Sequence, residues 1–157
     1  MSLPVYPVLR VRLLTWSRTL PPYNLGRLDQ YLYPYYKADK AAGILTDDDA
    51  QELLDCLWIK VAEMSLFQDE VTAQYAAGYC ITVQTSCGGI DQYGNDATNE
   101  LSYMMIQATE DVKFKEPNLS VTYSISKNPD SLLHKAVECI GMGLTMRRCT
   151  PTMWVSA

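Results

Sequence analysis

Apolar residues recur at helical spacing in one stretch above all others. Ala50, Leu53, Leu54, Leu57, Trp58 and Val61 fall on one side of a 3.6-residue period, which predicts a helix with a buried face. Thr46 stands where its N-cap would be. Asp47, Asp48 and Asp49 fill the first turn, where the helix dipole favours carboxylates. Upstream, Gly26 to Lys40 reads as another helix, interrupted by Pro34 and closed by Gly43 at C′. Asp69 to Ala77 suggests a short third helix.

The pattern then changes. Cys80 to Cys87 is rich in β-formers and predicts a strand that Gly88-Gly89 ends. A loop, IDQYGND, leads to a helix from about Ala97 to Asp111, with Asp96 as its expected cap. Leu119 to Ser124 predicts a second strand. Asn128 is placed to cap a last helix with Pro129 in its first turn, and Leu132, Leu133, Ala136, Val137 and Ile140 form the apolar stripe. A strand, a helix and a strand at this spacing imply parallel pairing. Two strands cannot cover both faces of a sheet, so the fold class expected is α/β, as part of something larger.

Composition narrows the partners. A net charge of -5 argues against nucleic acid or an anionic membrane. The five cysteines, Cys56, Cys80, Cys87, Cys139 and Cys149, make an odd number without a C-x-x-C pair, which suits a reducing cytosol. Cys56 and Cys139, beside apolar helical positions, read as small hydrophobes. The single His134 and the scattered thiols offer no zinc site, and no apolar run reaches the ~20 residues that span a bilayer. Residues 1–28 lack acidic residues and carry Arg10, Arg12, Arg18 and Arg27, in the manner of a transit peptide, but Pro4, Pro7, Pro21 and Pro22 break any amphipathic helix there.

Three blocks carry a family resemblance: GRLDQYLYPYY (Gly26 to Tyr36), CGGIDQYGNDATNELSY (Cys87 to Tyr103) and EPNLSV (Glu116 to Val121). In order and spacing they resemble the glycyl radical enzymes of the pyruvate formate-lyase-like family. Residues 25–146 are expected to be a partial domain of that kind, flanked by a non-matching leader (1–24) and a non-matching tail (147–157). The resemblance implies a segment of the family's ten-stranded α/β barrel, mostly helices with about two strands. It also implies an anaerobic cytoplasmic enzyme whose glycyl radical is installed by a radical-SAM activating partner.

The family's radical glycine sits in an R-V-x-G-Y-type motif, and its thiyl cysteine in a G-C-x-E-type motif. Neither occurs here. The cysteines follow Asp55, Tyr79, Ser86, Glu138 and Arg148, and the sole Gly-Tyr pair, Gly78-Tyr79, follows Ala77. No catalytic residue is therefore expected on this chain, nor a bound cofactor or metal. The expectation is a truncated piece, inactive alone, of an enzyme that cleaves C–C, C–O or C–N bonds. Alternatives are one chain of a split enzyme and a non-catalytic interaction module that self-associates, for instance as a homodimer, through open strand edges.

The blocks look closer to the dehydratase, decarboxylase and C–N lyase branch than to formate acetyltransferases, with glycerol or hydroxyproline as expected substrates. Tyr79 and Thr82 align with a G-Y-P-x-F-x-N segment that relatives place near the substrate. Cys80, Thr82 and Gln84 depart from its Pro, aromatic and Asn. Asp96, Asn99 and Glu100 make up a polar motif, expected as a helix start and hydrogen-bond network or as contacts at a barrel mouth. The Tyr31, Tyr33, Tyr35 and Tyr36 cluster reads as core or interface, and His134 as a solvated residue.

The resemblance stops at Met146. Synonymous codons for RRCTPTMW, read with one base restored after the Met146 codon, give Pro-Ala-Met-Tyr-Thr-Asp-Asn-Val, close to the family's P-A-x-x-N-D continuation. A shifted frame through Thr15 to Thr19 likewise reads Leu-Glu-Ser-Asn. The expectation is that the tail is out of frame, that the leader is either out of frame or read from a wrongly chosen start codon, and that residues 147–157 pack poorly.

Overall fold

A computed structural model describes residues 24–63, 70, 83–114 and 116–142. Its elements run β1 (Asn24–Arg27), α1 (Leu28–Ala41), α2 (Asp47–Ala62), β2 (Gln84–Gly88), α3 (Glu100–Val112), β3 (Asn118–Thr122) and α4 (Asp130–Gly141). The strands form one parallel sheet in the order β1-β2-β3. The expected third helix, and the tail expected to pack poorly, lie outside the described residues except for Glu70.

Local chemistry sets the helix ends. Thr46 caps α2: its hydroxyl accepts from the Asp49 N–H at 3.1 Å, and Asp49 returns the bond to the Thr46 N–H at 3.0 Å, a capping box. Tyr36 and Lys40 of α1 both reach Asp47, at 2.7 and 2.5 Å, and so join the two helices. Gly43 closes α1 with φ +66, the left-handed conformation that glycine adopts without Cβ strain.

The first helix starts later than expected. Gly26 and Arg27 are extended, because Gly26 and Arg27 pair with Thr85 and Ser86 of β2. The structure thus adds a third strand, too short to carry a period of its own and fixed by residues about sixty positions away.

Ala50, Leu54, Leu57, Trp58 and Val61 of α2 are buried as the spacing predicts, while Leu53 of the same stripe is only half-buried. Trp58 lies at the centre, and its indole N–H donates to Thr109 Oγ1 of α3 at 3.0 Å. Burial thus leaves the one polar atom of the ring satisfied. Met105, Ile106 and Ala108 of α3 join the same core with Val83, Cys87, Leu119 and Val121 from the sheet. Cys139 is buried, but Cys56 is exposed, on the side of α2 turned from the core.

Alternation divides the sheet. Thr85, Cys87, Leu119 and Val121 are buried. Gln84, Ser86, Asn118, Ser120 and Thr122 are half-buried, and the register aligns Gln84 with Asn118 and Ser86 with Ser120. Parallel sheets are ordinarily apolar on both faces. This one is apolar towards the helices except for Thr85, whose hydroxyl donates to the Gly26 carbonyl, and polar on the other side.

Gly88 fixes how closely the layers approach. A Cβ there would lie 2.8 Å from both Leu132 Cδ2 and the Thr122 carbonyl oxygen, at φ +72. Gly94 has a similar φ, +80, and open space. Gly88→Ala is expected to cost about 2–4 kcal/mol, since overpacking adds to backbone strain of about 1–2 kcal/mol. Gly94→Ala should cost only the strain. Urea unfolding followed by Trp58 fluorescence checks this; equal losses for the two variants would remove the close-approach argument.

Candidate functional site

Parallel α/β folds bind ligands beyond the carboxyl ends of their strands. Here those ends are Arg27, Gly88 and Thr122, and a polar network ties them together. Its centre is Asp29, in the first turn of α1 and 0 % exposed. Asp29 Oδ2 accepts from the Gly88 N–H and from the Ser102 hydroxyl, both at 2.8 Å. The Asp29 carbonyl accepts from Asn99 Nδ2 at 3.0 Å. Arg27 extends its guanidinium across the strand ends and donates to the carbonyls of Gly88 and Ile90. Gln30 donates to the Ala97 carbonyl at 2.7 Å. The GRLDQ block thus grips the turn that follows β2.

A second hub holds that turn from the other side. Asn128 Nδ2 donates to the Gly89 carbonyl at 2.6 Å and to Asp96 Oδ1 at 2.5 Å, with Thr98 Oγ1 also within 3.1 Å, while its Oδ1 accepts from the Ser124 N–H at 2.7 Å. Asn128 is therefore not the cap of α4. Pro129 holds that position without a side-chain bond. The buried amide instead satisfies several loop groups, which a solvent-exposed cap could not do.

Asp96, Asn99 and Glu100 lie together as the sequence suggests, with redistributed roles. The cap of α3 is Asn99, not Asp96. Asn99 Oδ1 accepts from the Ser102 N–H, and Ser102 Oγ accepts from the Asn99 N–H, each at 3.2 Å. Asp96 turns back to accept from the Thr98 N–H at 2.9 Å, since it lies too far before the helix to reach its free amides. Burial is the largest influence on the Asp96 carboxyl and pushes its pKa up. The bonds from Thr98 and Asn128 together outweigh it and hold the pKa below the usual value.

Glu100, exposed in the first turn of α3, has the Tyr33 hydroxyl as its main electrostatic partner. The hydroxyl holds the Glu100 carboxyl below its usual range, and the carboxyl raises the Tyr33 phenol. Of the tyrosine cluster, Tyr36 is buried and Tyr33 half-buried, while Tyr31 and Tyr35 are exposed, as is His134. Tyr79 and Thr82 lie outside the described residues.

Arg27, Asp29 and Asn128 are what sequence reasoning missed. The signal for the first two was present in the GRLDQ block, where two charges interrupt a helix start. A buried charge in such a place implies a fixed polar partner. The network orients backbone and positions a polar strand edge. It brings together no nucleophile–base pair, and among the described residues no cluster of His, Cys, Asp and Glu could hold a metal ion. No described helix is long and apolar enough to cross a membrane.

A parallel sheet with helices on one face, a polar second face and a locked carboxyl edge is a segment of a larger α/β wall. The pyruvate formate lyase-like family model matches residues 15–151. The chain belongs to that family, the glycyl radical enzymes. It is 34% identical over 119 residues to isethionate sulfite-lyase from Bilophila wadsworthia, covering 75% of this chain and 14% of that protein. Its structure is similar to the glycerol-bound B12-independent glycerol dehydratase from Clostridium butyricum (42% identity, TM-score 0.70, 75% of this chain and 14% of that one). It is also similar to a glycyl radical enzyme from Archaeoglobus fulgidus (34% identity, TM-score 0.76, 87% of this chain and 18% of that one). The chain spans less than a fifth of the length of each of these relatives.

Removing the Tyr33 hydroxyl tests the electrostatics at the start of α3. In Tyr33→Phe the Glu100 pKa should rise back towards the ordinary carboxylate value, read by NMR titration of the side-chain carboxyl. A folded pKa below the unfolded one contributes stability above the unfolded value and loses it as pH falls through the folded value. The stability gap between wild type and Tyr33→Phe should therefore narrow in acid. An unmoved Glu100 titration would contradict the assignment.

Proposed function

We propose that residues 24–142 form a wall segment of a glycyl radical enzyme of the lyase and dehydratase branch, and that they carry out no radical chemistry alone. The supporting observation is the sheet itself, apolar towards the helices and polar on the other side, with its carboxyl edge fixed by Asp29, Arg27 and Asn128. That polar face would line the interior of the family's barrel. The side chains there are amides and hydroxyls, which suits a small hydroxylated substrate such as the polyol that the Clostridium butyricum enzyme binds.

The residues present do not fit the family's radical carriers. None of the five cysteines follows a glycine, and no glycine stands in an R-V-x-G-Y setting. The thiyl and glycyl positions would come from polypeptide beyond this segment, and with them the need for a radical-SAM activating enzyme and an oxygen-free cytosol. This chain's part is positional. Gly88 N–H and the Gly88, Gly89 and Ile90 carbonyls are already held by side chains, so the strand end enters the barrel mouth rigid rather than ordering on substrate arrival. Tyr79 and Thr82, just ahead of β2 in sequence, are the residues assigned to the substrate pocket.

Anaerobic incubation of the purified chain with a glycyl radical activating enzyme and S-adenosylmethionine should leave the EPR spectrum free of a glycine-centred doublet. Appearance of that doublet would refute the proposal.

A further inference from the structure

Val83 stands at the entrance to β2 and is completely buried. Both of its backbone polar groups are taken by the block that opens β3. Its carbonyl accepts from the Asn118 N–H at 2.7 Å. Its N–H donates to Glu116 Oε2 at 3.1 Å. In a regular parallel ladder that N–H would meet the backbone carbonyl of Glu116. Here the ladder begins only at Gln84 and Asn118, and the Glu116 side chain supplies the acceptor in place of the main chain.

Glu116 is itself buried. A buried carboxyl group is costly, and for the ladder alone a main-chain carbonyl would serve. What the side chain adds is placement. The held amide belongs to the Thr82–Val83 peptide, and the held carbonyl to the Val83–Gln84 peptide. Gln84 is half-buried on the polar side of the sheet, in register with Asn118. Thr82 is one of the two residues assigned above to the substrate pocket.

We propose that Glu116 is a positioning residue for that pocket. Through the Val83 backbone it sets where Thr82 and Gln84 meet a small hydroxylated ligand, without touching the ligand itself. Its counterpart is Asp29, which holds the Gly88 N–H at the other end of the same strand at 2.8 Å. Among the described residues β2 alone is held in this way, by a buried carboxyl oxygen on a backbone amide at each end. The inference rests on the pocket assignment made above.

Ligand binding in a chimera tests it. Residues 24–142 replace the matching stretch of the Clostridium butyricum glycerol dehydratase, whose structure holds glycerol. Equilibrium dialysis before activation gives the Kd for glycerol, and calorimetry gives the melting temperature. Glu116→Ala should raise the Kd at least about fivefold, because a pocket displaced by a fraction of an ångström loses its contacts. Glu116→Gln keeps an acceptor oxygen at the same reach and should stay within about twofold of the parent chimera. Trp58→Phe, which loses the bond to Thr109 in the core, should lower the melting temperature and leave the Kd unchanged.

A Glu116→Ala chimera that melts earlier with an unchanged Kd would overturn the inference, since the residue would then serve stability alone. The double variant Thr82→Ala/Gln84→Ala separates that failure from failure of the pocket. If it weakens glycerol binding while Glu116→Ala does not, the pocket stands and the inference falls. If it also leaves the Kd unchanged, or if the parent chimera binds no glycerol, the pocket assignment falls and takes the inference with it. Should Glu116→Ala not fold, Glu116→Asp carries the same expectation, because its shorter side chain withdraws the oxygen from the Val83 N–H.

Discussion

One buried carboxylate holds the parts of this structure in register. Asp29 lies at the start of α1, yet its oxygen accepts from the amide at the end of β2 and from a hydroxyl in the first turn of α3. An unpaired charge without solvent is costly, so these donors must be in place when the helices close over the sheet. The neighbouring bonds repeat the demand. Asn99 caps α3 and donates to the Asp29 carbonyl, and Arg27 spans the Gly88 and Ile90 carbonyls on either side of Gly89. Gly88 is the matching steric constraint: the close approach that brings its N–H to Asp29 leaves no room for a side chain.

Local features were legible in the sequence. The cap at Thr46 and the buried face of α2 follow from spacing and side-chain chemistry within one helix, and the structure has both. The parallel pairing of β2 and β3 also follows, because a helix between two strands leaves few other topologies. The misses share a cause. Strand β1 exists because β2 lies beside it. Asn128 looked like a cap because a cap is the local use of an Asn before a Pro, while its actual partners lie about thirty to forty residues away. Asp96 looked like a cap for the same reason. Leu133, Val137 and Ile140 share one stripe with Leu132 and Ala136 yet are exposed, because periodicity records apolar positions, not what covers them.

The same contrast governs function. The family blocks in the sequence contain most of the residues that build the polar edge, Asn128 excepted. Their chemistry is architectural: amides, hydroxyls and one carboxylate that orient backbone. A radical enzyme must hold its reactive atoms within fractions of an ångström of productive geometry, and this demands a rigid wall.

A double-mutant cycle across Asp29 and Ser102 tests the central claim most directly. Asp29→Ala, Ser102→Ala and the double variant are unfolded in urea, and the coupling energy is taken from the three stability losses. A fully buried hydrogen bond to a carboxyl oxygen should give a coupling of about 1–3 kcal/mol. A coupling indistinguishable from zero would mean that the two residues act independently and that Asp29 does not hold the strand edge against α3.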